Sequence, residues 1–532
     1  IDICPVGALT SKPFRYTART WELARRKSIS PHDGLGSNLV VQVKQNKVMR
    51  VLPLENEEIN ECWISDKDRF SYEALNSQER LTRPMVKKAG KWEETDWQTA
   101  LELAVGGLKD AGVLASPHAT LEELYLAGKL GGPADFRLRH GDFSGDGKRA
   151  GIPWLGMPIT ELARLDRVLV VGSFLRKDHP LIAQRLRQAA KRGTQIHVLH
   201  SVDDDWLMPI KSKKIVAPSE LPGGFEFFKE TLKAGKNPAI LLGNFAQQHP
   251  QAAAIHAAAQ AIGVKVGFLG EAANSVGGYV AGLPAAGGLP EALKKQSLLL
   301  LNIDPQLDCA HPIPAGKFIV NLTSFKSEVG DVLLPIGTFT ETAGTFVNTE
   351  GRPQGFHATV RPAGDARPAW KVLRVLGTML GRQGFEYETV EQVRDACLGG
   401  RDVSKLLSNE ISEVRAAAQT VAGIQRIADV PIYFADPLVR RSPPLQKTRD
   451  AQRPKAWMNA KLMQSLGVQA GGQVLVKQGA GEAGLIAGLD DRLPDQCVRI
   501  AAGHASTAGL GAMFGAVTVE KISASSAEVR AA

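Results

Sequence analysis

Residues 166–174 read DRVLVVGSF, and residues 178–193 read DHPLIAQRLRQAAKRG. The first is a short apolar run without polar alternation, the pattern of a strand buried on both faces. It ends at Gly172. The second is a helix, with Asp178 near its N-cap, Pro180 in the first turn and Gly193 as the stop. The strand signature returns in TQIHVLHS (194–201), NPAILLGN (237–244), VKVGFLGE (264–271), QSLLLLNID (296–304) and KFIVNLTS (317–324), with helical stretches between. Strands alternating with helices of this size make βαβ units and a parallel sheet. The number of units predicts an α/β body of two related, Rossmann-like lobes.

Outward from that body the pattern changes. Residues 39–52, LVVQVKQNKVMRVL, alternate apolar and polar around Gln45-Asn46-Lys47, as a β-hairpin does. Asp96 is a fair N-cap for a helix whose Leu101, Ala104, Val105 and Leu108 share one face. Residues 400–430 read as helical and polar, and RRSPPLQKTRDAQRP (440–454) as a linker. Beyond it, GGQVLVKQG, AGLIAGLDDRLPDQCVRIAAG and GAVTVEKI predict short strands with glycine turns, a small C-terminal β domain.

With 532 residues, 44% hydrophobic and 22% charged, the chain has the make-up of a globular protein of two to four domains. It begins with Ile1 and shows no secretory leader, which suggests an N-terminally shortened chain. No apolar run approaches the roughly 18 residues that span a bilayer. The net charge of +9 reads as spread along the chain, with no basic block and no aromatic-interleaved patch of the nucleic-acid-binding kind. Five scattered cysteines, Cys4, Cys62, Cys309, Cys397 and Cys497, form no disulfide framework and suit a reducing compartment.

Few motifs carry chemistry. The glycines after strands fit no dinucleotide fingerprint, and no Walker loop, nucleophile elbow or zinc-binding histidine pair is present. No residue is expected to do general acid–base or nucleophilic work. Cys4-Pro5 is the closing step of a ferredoxin-type cluster motif, in which the last thiolate precedes a proline. Cys309 and Cys397 read as packing residues.

The segments CPVGALTSKPFRYTARTWEL, INECWISDKDRF, ASPHATLEEL, VGSFLRKDHPLIAQRLR, LLGNFAQQHPQAA, GEAANSVGGY, DVLLPIGTFTETAGTFVNTEGRPQGF, RPAWKVLRVLG and DDRLPDQCVRIAAGH occur in order along the chain. Together they resemble the family of large iron–sulfur subunits of bacterial NADH:quinone oxidoreductase, respiratory complex I. The resemblance implies a degenerate molybdopterin-oxidoreductase fold. It divides the chain into a remnant of a ferredoxin-like domain (1–27), a small β domain (28–84), the α/β body (85–430) and a C-terminal β-rich domain (431–532).

The same resemblance supplies the site expectations. Cys4 becomes the last of four thiolates around a [4Fe–4S] cluster in the electron relay, the other ligands and further clusters lying upstream. The four thiolate positions of a second cluster, kept by molybdopterin enzymes, fall on Ser30, Asp33 and Ser37 in SPHDGLGS and on Ser65 in SDKDR. Neutral hydroxyls do not replace thiolates on such clusters, so this second site should be empty. Cys62, three residues from Ser65, is a false ligand. Glu341, Thr342, Thr345, Asn348, Glu350 and Arg352 crowd one loop that could grip a pterin in an ancestor; here they are expected to serve loop backbone and subunit contacts, and no molybdopterin is expected. The implied role is electron transfer and scaffolding, beside a flavin-bearing NADH-binding subunit and other iron–sulfur subunits. The implied place is peripheral, at the cytoplasmic face of the bacterial inner membrane, with no membrane span and no nucleic acid. The alternative is a live molybdenum- or tungsten-pterin oxidoreductase of the formate dehydrogenase kind.

Overall fold

The computed structural model describes Cys4, residues 6–412, Val414 and residues 421–522. Its central feature is the strand Arg167–Val171, formed by the apolar run of residues 168–171. It lies in the middle of a five-stranded, all-parallel sheet. Gln195–His200 and Ser212–Ile215 extend the sheet on one side, Pro238–Leu242 and Lys265–Phe268 on the other. Chain order therefore reverses direction at Arg167–Val171, and such switch points open a crevice at the carboxyl ends of the strands. Here the loops that follow the two central strands cross closely. A Cβ on Gly243 would lie 2.2 Å from the Cβ of Ser173, and one on Gly172 would lie 2.6 Å from the backbone nitrogen of Ala246. Only glycine allows so close a crossing of the two loops.

The helix after this strand is Pro180–Lys191, with Pro180 at its first position and Gly193, at φ +108°, as its stop. Asp178 does not cap it. It ends a separate turn, Leu175–Asp178, and accepts from the backbone N–H of Phe174. The extended backbone of His179, at φ −134°, breaks the helical path between the two and turns the carboxylate back.

The second lobe is a seven-stranded sheet in the order Lys91–Glu94, Met85–Lys88, Val332–Pro335, Phe318–Thr323, Ser297–Leu301, Ala111–Ala115, Ala134–Asp135. Five strands are parallel, and the Met85–Glu94 hairpin adds an antiparallel edge. The lobe is discontinuous in sequence: the chain leaves it after residue 135, builds the five-stranded lobe, and returns at residue 297. The helix Trp97–Gly107 covers it, Asp96 capping the Thr99 N–H at 2.9 Å and Leu101, Ala104 and Leu108 buried as expected.

Two smaller β units flank the body. Strands β1 (Ala24–Ile29), β2 (Asn38–Lys44) and β3 (Lys47–Pro53) form an antiparallel sheet. Gln45 and Asn46 both have positive φ, +48° and +62°, the geometry of the two-residue turn that matches strand twist. At the other end, six strands close a barrel in the order Ile424–Ile427, Cys497–Arg499, Ala456–Met458, Gly481–Leu489, Gln473–Gln478, Ala516–Lys521. The barrel takes its first strand from ahead of residue 431, so closure reaches back into the stretch expected to be helical. Within that stretch the described residues hold one short helical turn, Val403–Leu406, and this strand; residues 413 and 415–420 lie outside the description.

One expectation about charge is corrected by counting. Residues 1–54 hold nine of the Lys and Arg side chains against Asp2, Glu22 and Asp33, so a net six of the nine positive charges fall in the first tenth of the chain. The excess is concentrated, not spread.

Candidate functional site

The four positions expected to have lost a cluster are brought together. Ser30, Asp33, Ser37 and Ser65 are all buried. The Ser30 N–H donates to the Ser37 carbonyl at 2.9 Å, closing the loop that carries the first three. Ser65 caps the short helix Asp66–Phe70, accepting from the Asp68 N–H, and its hydroxyl donates to the Asp68 carboxylate at 3.0 Å. Burial raises the Asp68 pKa, against the pull of nearby His32. The pocket is lined by oxygen, and Ser37 Oγ and Asp68 Oδ1 have no hydrogen-bond partner among the described residues.

What crosslinks this loop is a buried chain of polar groups. His32 lies between Ser30 and Asp33. One ring nitrogen, Nδ1, is 2.8 Å from Asp436 Oδ2, and the other is 2.7 Å from Ser71 Oγ. Lys67 Nζ donates to the His32 carbonyl at 3.3 Å. Burial alone would lower the His32 pKa, but the Asp436 carboxylate outweighs it and the shift is upward. Asp436, although buried, is driven well below the usual carboxylate range by the His32 charge. Both shifts favour the imidazolium–carboxylate form of this pair, and both side chains are buried. Serine, histidine and aspartate stand in hydrogen-bonding sequence, yet all three are buried, so no substrate reaches the hydroxyl.

The loop 338–354 grips the same region from outside. The Thr349 N–H donates to the Gly34 carbonyl at 2.6 Å, Asn348 Nδ2 to the Leu35 carbonyl at 3.1 Å, and Gln354 Nε2 to the Gly36 carbonyl at 3.0 Å. Asn348 Oδ1 also accepts from the N–H groups of Glu350 and Arg352. Glu341 pairs with Arg80 at 2.7 Å, Arg352 with Glu58 at 2.7 Å, and Thr345 donates twice to Glu122, whose pKa burial raises to about 7. These polar side chains satisfy backbone and ion pairs within the chain. Thr342 alone of the expected set faces a cavity, one of about 40 Å³.

Cys4 sits in a different setting. It is partly exposed, and its thiol faces backbone N–H groups, chiefly those of Ala8 and Val6, which lower its pKa. A turn of N–H groups around one sulfur stabilises a thiolate, the form that binds metal. The other shifted thiols move the opposite way: burial pushes Cys397 and Cys497 up to about 12, and raises Cys309 as well. Cys62 is exposed beside Trp63, outside the buried pocket that holds Ser65. Among the described residues no group of three or more His, Cys, Asp or Glu could hold a metal ion, and no helix is long and apolar enough to cross a membrane.

The fold suggests two groups, a cluster and a pterin. A tetranuclear cluster needs thiolates, and the buried pocket offers hydroxyls and carboxylates, so the residues present do not fit it. For a pterin, the cavities within the body measure about 50, 40 and 30 Å³. Small-molecule sites take roughly 300–1,000 Å³. A wider cleft of about 710 Å³ opens between the five-stranded lobe and the barrel, lined by Arg176, Asp204, Arg453 and Trp457 among others, with no cysteine or serine on its walls.

Sequence reading missed His32, Lys67, Asp68 and Asp436. The first three stand inside the quoted segments SPHDGLGS and SDKDR and could have been flagged as charged residues beside lost ligands. Asp436 is 404 positions from His32, and nothing local marks it.

The family model described as "NADH-ubiquinone oxidoreductase NDSU1/NuoG-like, 4Fe-4S domain" matches residues 23–73, the stretch that holds the three-stranded sheet and the buried loop. Curated relatives include the NADH-ubiquinone oxidoreductase 78 kDa subunit of Neurospora crassa, 30% identical over 85% of this chain and 66% of that protein. An NADH-quinone oxidoreductase subunit of Rickettsia felis is 31% identical over 71% of this chain and 59% of its own length. The NADH-ubiquinone oxidoreductase 75 kDa subunit of Reclinomonas americana is 28% identical over 74% and 62%. The chain thus spans 59–66% of the length of these relatives. Among solved structures, acetylene hydratase from Pelobacter acetylenicus superposes with a TM-score of 0.59 at 14% identity, over 93% of this chain and 100% of that one, a likeness of fold alone. The molybdopterin oxidoreductase model matches residues 80–379, more than half of the 532, and it covers the two lobes derived above from strand order. The chain belongs to the molybdopterin oxidoreductase family.

Proposed function

We propose that this chain is an electron-transfer and scaffold subunit of an NADH:quinone oxidoreductase, working beside a flavin-bearing NADH-binding subunit and other iron–sulfur subunits. The relatives' names support the complex. Cys4 carries the role: it stands in the Cys-Pro step that closes cluster motifs and is partly exposed, whereas Cys397 and Cys497 are buried. A [4Fe–4S] cluster held there, with ligands from outside the described residues, supplies one-electron relay chemistry. The chain's own contribution is to place backbone N–H groups that lower the pKa of Cys4 beside it and to back it with a large folded body. That body binds no pterin in this reading. Its interior cavities are about a tenth of the needed size, the cleft of about 710 Å³ offers no cysteine or serine to ligate a pterin's metal, and the loop 338–354 spends its polar groups on the chain itself. The assembly sits peripherally at the cytoplasmic face of a bacterial inner membrane.

The test is Cys4→Ser in the assembled complex, read by electron paramagnetic resonance after NADH reduction. Loss of one tetranuclear signal is expected, and an unchanged spectrum removes Cys4 from the relay. Metal analysis decides on the competing enzyme: stoichiometric molybdenum or tungsten in the purified complex, travelling with this chain, would replace the scaffold reading.

A further inference from the structure

The wide cleft beside the barrel and two of the interior cavities share walls. Phe174, Lys177, Asp178, Asp429, Val430 and Ile432 line both the cleft of about 710 Å³ and the cavity of about 30 Å³ behind it. His118 lines that cavity and also the next, of about 40 Å³, whose other walls include His32 and Asp436. Two partitions therefore stand between the open cleft and the buried pair. One is set by the turn Leu175–Asp178, the other by a single imidazole. Each cavity has room for about two or three waters, and its walls supply the polar partners that buried water requires.

The polar groups on those walls are underused. Lys67 is buried and pairs with no carboxylate among the described residues. Its ammonium has three donors and makes one hydrogen bond there, to the His32 carbonyl. Asn244 Oδ1 has no partner among the described residues. Asp178 accepts from the Phe174 N–H, and burial together with the Asp429 charge raises its pKa to about 8. Lys67, Asp429 and Glu271 face it from three different elements, with Arg139 and Lys177 on the same walls. His118 is set for transfer. Its Nδ1 lies 2.7 Å from the Pro31 carbonyl, which can only accept, so Nδ1 carries the N–H and Nε2 is the basic atom. Deep in the body, the ring still keeps accessible surface. Burial lowers its pKa, against the charge of Asp436 and with those of His32 and Lys67, so a proton on Nε2 is readily given up.

We propose that the cleft, the Asp178 turn and His118 form a hydrated proton path connecting solvent with the buried His32–Asp436 pair. A proton passes from water in one cavity to His118 Nε2 and from there to water in the next. One proton enters the ring, one leaves, and no other bond changes. A dry wall would leave the Lys67 donors and Asn244 Oδ1 without hydrogen bonds, which native interiors rarely tolerate.

The experiment uses the whole chain with its histidines labelled with nitrogen-15, and NMR reads how fast the ring N–H protons of His32 exchange with water at pH 6. His256 is the internal reference, being buried, bonded to the Asn409 carbonyl and on none of these walls. Wild-type His32 should exchange about a hundredfold faster than His256. His118→Phe fills the partition with a ring that carries no proton, and should slow His32 about tenfold while His256 is unchanged. His118→Ala opens the partition to water, and should leave His32 as fast as in wild type or faster. Asp178→Asn keeps an acceptor for the Phe174 N–H but takes up no proton, and should slow His32 by a smaller factor. Should His118→Phe fail to fold, Asp178→Asn decides alone. Both His118 variants lose the same bond to Pro31, so a faster His32 in both would mean loosened structure and would overturn the path. A wild-type His32 rate equal to that of His256 would also overturn it, as would a rate that neither His118→Phe nor Asp178→Asn changes.

Discussion

Cys4 and the Ser30–Ser65 pocket are, in the proposed reading, two cluster positions with opposite fates. At Cys4 the thiol is kept, partly exposed and surrounded by N–H groups that favour its charge. At the pocket, Ser30, Asp33, Ser37 and Ser65 offer oxygen in place of thiolates. Its loop is closed by the Ser30–Ser37 backbone bond, and the buried His32–Asp436 pair and the clamp from Thr349, Asn348 and Gln354 hold it shut. A metal cluster is a crosslink as well as a redox centre. Where the crosslink can be replaced by hydrogen bonds and an ion pair, the backbone outlives the ligands. At Cys4 no such replacement exists among the described residues, and the thiol stays poised for metal.

The comparison breaks most visibly if the pocket cannot take a cluster back. Ser30→Cys, Asp33→Cys, Ser37→Cys and Ser65→Cys, combined and reconstituted without oxygen, should raise bound iron by about four atoms per chain. No gain would show that the frame has closed beyond recovery. Next in size is the ion pair. Asp436→Ala should lower stability by about 3–5 kcal/mol near pH 6, read from denaturant unfolding, because it strands a buried imidazolium and uncaps Leu438 and Val439. That cost depends on pH with a definite sign. The His32 pKa is raised in the fold, so its contribution is whole below its ordinary 6.5 and fades as pH climbs through the higher folded value. The Asp436 pKa is lowered, so its contribution is whole above its ordinary 3.8 and fades as pH falls below that. The gap between wild type and His32→Gln should therefore be widest between those two values and shrink at pH 9. A gap flat from pH 5 to 9 would mean that the pair is not ionic. The smallest effect concerns thiol reactivity: at pH 7, Cys4 should alkylate about tenfold faster or more than Cys397 and Cys497, followed by peptide mass spectrometry.

Much of the body was legible because its strands are buried on both faces. Unbroken apolar runs such as LLLL at 298–301, bounded by glycine and helix signals, fit little besides an interior strand. The β2–β3 turn was legible for a similar local reason, Asn46 tolerating positive φ. The crossing between lobes was not legible. No residue near position 135 or 297 announces that the strands on either side of the long excursion share a sheet; that follows from packing a continuous core. The barrel's first strand escaped because IQRI at 424–427 is short, with exposed neighbours, and its partners come from residues 497 and 516 onward. At the site, the oxygen ligand chemistry of Ser30, Asp33, Ser37 and Ser65 was readable position by position, since it is a property of single residues. The His32–Asp436 replacement was not, since an ion pair is a property of two, and the second lies far along the chain.

The central claim is that iron chemistry in this protein depends on Cys4 and not on the buried pocket. It is tested most directly by comparing the tetranuclear signals of the NADH-reduced complex carrying Cys4→Ser with those of one carrying Ser30→Ala and Ser65→Ala. One signal should be lost in the first, and the second should keep a wild-type spectrum. A spectrum untouched by Cys4→Ser but diminished by the serine replacements would contradict the claim.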